Sequence, residues 1–371
     1  MKRLPDPVQK VNACVVGLDV HQNQSTWVML DRQGKVLEEG AIPSRPERLE
    51  ELYRRVVGRK KVHFAFEAGG SSLWVFDVLE RLLKGDERIH VAHPKSVKAI
   101  ANSTQKNDRN DAWWLAYLTY EGRLPEVWLP RARYRELRYA TRERTALVQE
   151  RTGTAKRIRA HLRQAGRTLP QGALSRATHR ALVRSWLPEL DRIPRLAIEE
   201  SLEHWELLTR RIERWEKVIE ELAGEWDEVV LLEKVLPGVG ATLASCIVAE
   251  SGPLHRFRNA KAYGRYTGLT PSERSSAGRT RFGRISREGN ARLRWALTQA
   301  VTSCLRCQYG PGRSVGNWVR RREKRLGSRK KAKVAAARKF GEAVWRLFAL
   351  GECFEIQRIF GCPPREAGQG A

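Results

Sequence analysis

Four carboxylates stand where phosphodiester chemistry would need them. Asp19 closes the apolar run ACVVGLD, Glu67 closes KVHFAFE just before Gly69 and Gly70, and Asp108 and Asp111 lie three apart at the start of a helical stretch. That last spacing puts both acids on one helix face. Hard divalent cations such as Mg2+ take carboxylate oxygens, and four acids from three separated elements can converge on one or two of them, as phosphodiester chemistry requires. Ordinary roles stay open for two of the four: Asp19 as a strand-end turn residue, Asp108 as a helix N-cap. Glu67 resists such a reading, because a carboxylate ending an apolar strand is costly to bury unpaired. His21 follows Asp19 by two on the same strand face, which places it to approach the metal site, although packing is the commoner role.

The elements that must position these acids are legible in the first 130 residues. Apolar runs at 13–19, 25–30 and 35–42 predict three strands in an antiparallel meander, with a turn at Asp31-Arg32-Gln33-Gly34. Helical character over 46–57, a strand over 61–67, helical spacing over 71–83, a strand over 88–92 and a helix over about 108–120 follow. A meander followed by strands alternating with helices is the order of a ribonuclease-H-like fold. The middle reads as helical: a polar, basic helix over about 133–162, then an irregular connector expected from Gly166 to Pro194. Beyond it Trp205, Leu208, Ile212, Trp215, Ile219, Leu222, Trp226 and Val229 recur at alternating steps of three and four. Such a seam is buried against a partner helix; the 133–162 helix of the same chain and an oligomerisation arm both remain open as the partner. The expected fold class is α/β plus α. Its divisions are a domain at 1–130, a helical coiled-coil region at 131–235, a mainly helical domain at 236–350 and a poorly ordered tail at 351–371.

Charge narrows the partners. The 371 residues hold 69 Lys and Arg against 42 Asp and Glu, a formal net charge of +27. Residues 1–130 are nearly balanced, with 20 basic and 17 acidic side chains, as are residues 131–255, with 22 and 18. From Arg256 to Lys339 there are 24 basic residues and three acidic ones, Glu273, Glu288 and Glu323. An excess of 21 charges in 84 residues predicts a salt-sensitive surface for a polyanion. With 41% apolar residues the chain can bury a core, which excludes disorder as its ground state. No apolar run is long enough for a membrane span, and MKRLPDPVQK lacks the apolar region of a signal peptide. Six scattered Cys in a chain of this length point to a reduced, cytoplasmic protein. Cys304 and Cys307 lack a second ligand pair nearby, so they read as helix-face thiols, not a zinc site. Leu236-Pro-Gly-Val-Gly240 before an apolar helix over 241–250 suits a DNA phosphate at a helix N-terminus, although alone it is more often a plain turn.

The motifs together resemble a family. GLDVHQ at 17–22, FEAGG at 66–70 and NDRNDA at 107–112 are similar to the RuvC-like domain of the transposases of bridge-RNA-guided insertion sequences, relatives of the pilin-type DNA invertases. LPGVG at 236–240, FRNAKAYGRYTGLTPSERSSAG at 257–278, GRISREGNARLR at 283–294 and KKAKVAAARK at 330–339 resemble that family's transposase domain, in the same order. The resemblance implies that Asp19, Glu67, Asp108 and Asp111 bind metal and that Ser276 is the nucleophile. Ser275 is adjacent, and Ala277 stands where the family has Gly directly after the serine, so both serines stay open. Arg274, Arg279, Arg281 and Arg284 are candidates to stabilise charge on phosphorus or anchor phosphates, and Lys330 and Lys331 to bind nucleic acid.

The resemblance further implies a Mg2+-dependent DNA transposase and recombinase that works through a phosphoserine link. Its partners would be double-stranded donor and target DNA and a structured guide RNA, and a homodimer would assemble to a tetramer on synapsis. Its setting would be the bacterial cytoplasm at the nucleoid. The rival readings are a metal-dependent nuclease of junction-resolvase or exonuclease type and a non-catalytic nucleic-acid-binding protein. Four-acid exonucleases carry a second carboxylate two residues after the first, where this chain has His21.

Overall fold

The computed structural model describes residues 11–57, 61–83, 88–101, 107–276, 279–285, 288–353 and 355–361. Two compact units divide the chain, Met1–Leu129 and Pro130–Ala371.

In the first unit, β1 (Cys14–Val20), β2 (Gln24–Leu30) and β3 (Val36–Pro43) form the antiparallel meander. After α1 (Pro46–Val57), β4 (Val62–Glu67) pairs parallel with β1; after α2 (Ser72–Leu82), β5 (Arg88–Ala92) pairs parallel with β4. The sheet order is β3-β2-β1-β4-β5. Two further helices follow, α3 (Pro94–Ala101), which the sequence reading did not foresee, and α4 (Asp108–Tyr120). Strand alternation sorts the faces. Val16, Leu18, Phe64 and Phe66 pack under α1 and α2, whereas Val15 meets Ala112 and Ala116 of α4 on the other face.

Gly17 sets the spacing of that second face. A Cβ there would lie 2.0 Å from the Ala112 carbonyl oxygen, so only glycine lets α4 rest directly on β1. The helix starts where it does because the Asn107 side chain accepts from the Arg109 amide. Asn107, not Asp108, is therefore the cap, and the Asp108 carboxylate is left to face outward from the first turn.

The second unit is mostly helical. The long helices α5 (Ala132–Gln164) and α7 (Arg192–Gly224) pack along each other, with α6 (Ala177–Trp186) between them in sequence. Ile198, Leu202 and Trp205 meet Ile158 and Leu162, and Leu208 and Ile212 meet Leu147. The seam's partner is thus the same chain's own helix. The irregular connector expected over 166–194 is corrected in part: α6 occupies ten of its residues, and Pro194 sits inside the first turn of α7, where its missing N–H costs nothing. The seam also changes helix. α7 ends at Gly224, and Trp226 and Val229 enter the next core from the Trp226 cap and from α8 (Asp227–Val235).

That core is shared by α9 (Ala241–Ser251), α10 (Ala260–Tyr266), α11 (Ala291–Cys304), α12 (Gly310–Leu326) and α13 (Arg329–Leu350). Between α10 and α11 lies a hairpin of β6 (Pro271–Ser276) and β7 (Arg279–Ile285). Order runs past Cys353, against expectation: α14 (Ile356–Phe360) buries Phe360 against Trp318 and Phe340. No described helix is long and apolar enough to cross a membrane.

Candidate functional site

Asp19 lies on the α4 face of β1, one residue past Leu18, which pairs with Phe66. Glu67 occupies the equivalent place beyond Phe66, so both acids leave one end of the sheet on one face. Because α4 is pressed onto β1 at Gly17, its first turn reaches the same end. Ligand atoms of Asp19, His21 and Asp108 lie within 4.8 Å of one another. His21 Nε2 stands 3.1 Å from Asp19 Oδ2 and 3.5 Å from Asp108 Oδ1. The first turn of α4 is also steered by Arg109, which forks onto Glu39 of β3 at 2.8 and 2.9 Å, the two-pronged geometry that guanidinium favours.

Of the four predicted acids, Asp19 and Asp108 are brought together directly, and Asp111 is close enough for its charge to act on Asp19. Glu67 lies outside that three-residue group, at the neighbouring strand end. His21 reaches the acids and does not take the packing role: its side chain is 57% exposed and bridges two carboxylates. β1 ends at Val20, and the turn after it, not strand alternation, points the imidazole at the acids.

The electrostatics favour a cation here. Asp19 is held above the usual carboxylate range by burial first; His21 opposes this, and the charges of Asp111 and Asp108 add to it. Its Oδ2 is buried and lacks an aligned hydrogen-bond donor among the described residues. A buried carboxylate oxygen with the His21 imidazole as its near polar neighbour, beside further acids, is a donor set that fits a hard cation. A raised carboxylate contributes most to stability below its unfolded value and loses that contribution as pH rises through the folded one. At neutral pH the ionised Asp19 is therefore a cost. Asp19→Asn is expected to raise the melting temperature of the metal-free protein by on the order of 2–4 °C. Mg2+ should raise that of the wild type and leave the variant unmoved, as differential scanning fluorimetry would read.

In the second unit, the register pairs Ser276 with Arg279, Ser275 with Thr280 and Arg274 with Arg281, and β7 also carries Arg284. The two serines thus end β6 at the tip of the hairpin. Their side chains and those of the four arginines lie outside the described residues, as do Ala277 and Gly278. Asn290, which comes after the hairpin, caps α11 by accepting from the Arg292 and Leu293 amides, and its own amide donates to the Tyr266 carbonyl. Its side-chain nitrogen donates to Glu250 at 2.8 Å.

Glu250 is fully buried and is the hub of this region. Arg142 donates to it twice, at 2.8 and 3.0 Å, and Arg138 lies at 3.3 Å. The same residue's carbonyl accepts from Arg138 and from the Tyr266 hydroxyl. Burial alone would raise the Glu250 carboxyl, but the Arg142 hydrogen bonds and the Arg138 charge outweigh it and hold it below the usual range. Nothing in the sequence reading singled out Glu250; its signal is an acid inside the apolar run ASCIVAES. Glu250→Gln leaves the mostly buried Arg138 and the half-exposed Arg142 without their counter-charge and is expected to cost about 2–3 kcal/mol, below the full penalty for breaking a buried pair because Arg142 is partly solvated, read from the urea midpoint. With a depressed carboxyl the contribution is full above the ordinary carboxylate range and is lost as pH falls through the folded value.

The remaining candidates separate. Lys330 and Lys331 are exposed on the first turn of α13, after the Ser328 cap. Gly238 has φ +76° and turns against α11, where a Cβ would lie 2.6 Å from the Ala300 carbonyl oxygen. It serves packing, while Gly240 caps α9 with open space around it. Cys304 is buried beside the Pro237 carbonyl at 3.1 Å, and its thiol is pushed up to about 12 by burial.

Comparison with known proteins adds a second line. A family profile described as "Transposase", of the DEDD type, matches residues 16–166, and one described as "Transposase IS116/IS110/IS902 family" matches residues 232–315. The chain is 26% identical over 320 residues to y4qE of Sinorhizobium fredii, which carries a transposase description, covering 85% of this chain and 74% of that protein. It is 26% identical over 272 residues to "Transposase for insertion sequence element IS1328" of Yersinia enterocolitica, covering 72% and 78%. A family 20 transposase description belongs to a Pseudomonas aeruginosa protein 25% identical over 295 residues, covering 78% and 85%.

Proposed function

We infer from the two profiles and the relatives that the chain is a transposase of the IS110/IS116 kind, and from that premise we propose that it cuts and rejoins DNA through a phosphoserine link. In this reading the first unit is a RuvC-like domain whose Asp19, Glu67, Asp108 and Asp111 hold Mg2+. The observation that carries it is the convergence of Asp19 and Asp108 around a buried carboxylate oxygen without an aligned donor. A divalent cation there would polarise a phosphodiester oxygen and lower the proton affinity of an attacking hydroxyl.

Ser276 supplies that hydroxyl. Its oxygen bonds to phosphorus as the bond from phosphorus to the sugar oxygen breaks; the serine proton is lost to a base, and the departing sugar oxygen takes one up. Attack on the phosphoserine by the sugar hydroxyl of another strand reverses the step and frees Ser276. Each bond broken is matched by one formed, so strand exchange needs no energy source. Arginines 274, 279, 281 and 284 anchor phosphates beside the serine, and Lys330 and Lys331 extend the grip.

Sequence choice belongs to a structured guide RNA in this reading, which leaves the protein to hold backbones through its basic segment. Donor and target are double-stranded DNA, and a homodimer pairs into a tetramer on synapsis. Gentle extraction of the expressed protein, followed by sequencing of the nucleic acid that copurifies, tests the guide. One discrete structured RNA species is the expected result. Random fragments, released in proportion to salt, would favour an unguided nuclease or a binding protein instead.

A further inference from the structure

The C-terminal helices carry a feature that the cleavage chemistry leaves unused. Trp318 of α12 is half-buried and stands between two open cavities of about 380 and 450 Å3. Arg322 lines both; Arg321 and Arg325 belong to the first, Arg338 and Lys339 to the second. Phe360 packs nearly perpendicular to the ring, 5.5 Å away at 83°. The Arg322 guanidinium lies 5.9 Å and the Lys339 ammonium 5.7 Å from its centroid.

The cations are placed for an anion that arrives from outside. Arg322 Nε is buried with no hydrogen-bond partner among the described residues, a costly state for a charged donor. Arg321 is steadied by the Gly361 carbonyl at 3.2 Å, and Lys339 by that of Ile359 at 2.8 Å. Arg338 is half-neutralised by Glu342, 2.9 Å away, which also lines the second cavity. Among the described residues, the first cavity has no carboxylate or amide side chain in its lining.

A ring that lines two open cavities, with cationic side chains around it, matches one ligand chemistry. A duplex offers phosphates but keeps its base faces stacked inside. A single strand offers both phosphates and base faces, and proteins bind it by aromatic stacking beside a cationic groove. The 2′-hydroxyl of RNA is a donor and acceptor, and among the described residues the first cavity has no side chain to read it beyond its cations. A DNA transposase parts strands as it works, so unpaired DNA is at hand. We propose that Trp318 is a stacking platform for an unpaired DNA base, with Arg321, Arg322 and Arg325 taking the flanking phosphates.

The test uses the full chain and a single-stranded oligodeoxynucleotide of about twelve residues, inside the usual range of single-strand sites, carrying one 5-iododeoxyuridine. Irradiation should attach it to the peptide that contains Trp318. Trp318→Leu should weaken single-strand binding about tenfold and binding of the matching duplex less than twofold, while Trp318→Phe, which keeps a ring against Phe360, should retain most of it. The proposal is overturned if Trp318→Leu leaves single-strand binding unchanged, or lowers both forms equally, as a packing defect would. It is also overturned if the oligoribonucleotide of the same sequence binds the platform more tightly than DNA.

Discussion

Single replacement of Asp19, Glu67, Asp108 or Asp111 by Ala is expected to lower strand exchange by on the order of a thousandfold. Loss of the several kcal/mol that a cation contributes to the transition state converts to that factor. Nucleic-acid binding should stay within about twofold, because the proposed reading assigns phosphate contacts to the basic segment from Arg256 to Lys339 and not to the acids. Glu67 is the sharpest of the four. It leaves the same sheet end as Asp19 but stands outside the group of ligand atoms within 4.8 Å. A Glu67→Ala protein that exchanges strands at near the wild-type rate would remove it from the site and leave a centre built by Asp19, Asp108 and His21.

The acid cluster was legible because its elements are strongly patterned. ACVVGLD and KVHFAFE are apolar enough to mark buried strands, and the acid at each end marks where the strand leaves the core. Asp108 and Asp111 were read correctly as one helix face, yet the start of that helix depends on Asn107, a cap that sequence reading left unassigned. What no sequence pattern showed is the role of Gly17. Its lack of a Cβ is what brings α4 onto β1, and a lone glycine in a strand reads as a weakness until the helix above it is seen. The nearness of His21 to the acids was legible from its place two residues after Asp19, whereas the packing role was not met, because the chain leaves the strand at Val20 and the imidazole is exposed.

In the second unit the balance is different. The seam from Trp205 was visible from its period, but its partner was not, since a heptad pattern says that a face is covered without saying by what. The hairpin of β6 and β7 escaped notice because PSERSS and RTRFGRI are polar and lack the apolar alternation that marks a strand. Asn290, which follows the hairpin, is tied to Glu250 and to the Tyr266 carbonyl. α6 was hidden by the Pro and Gly around it. The sequence argument also placed the costly buried carboxylate at Glu67, whereas the fully buried one is Glu250, satisfied by two arginines from α5 that lie more than 100 residues away.

Ser276→Ala is expected to abolish strand cleavage by transesterification altogether, since a missing hydroxyl cannot be replaced by a neighbour without new geometry. Ser275→Ala, one position back on β6, should keep most of it. The difference matters because the two mechanisms open to a cluster of acids leave different products. Hydrolysis by water releases both DNA ends free. Attack by serine leaves one end bonded to the protein through a phosphoester that survives denaturation. The most direct measurement is therefore to incubate the protein and Mg2+ with a nicked substrate that prevents religation, denature it, digest the DNA and map the modified peptide by mass spectrometry. The phosphoserine account predicts an adduct within residues 272–280, on Ser276, absent from the Ser276→Ala and Asp19→Ala proteins; cleaved DNA with no adduct, or an adduct that persists in both Ser276→Ala and Ser275→Ala, would contradict it.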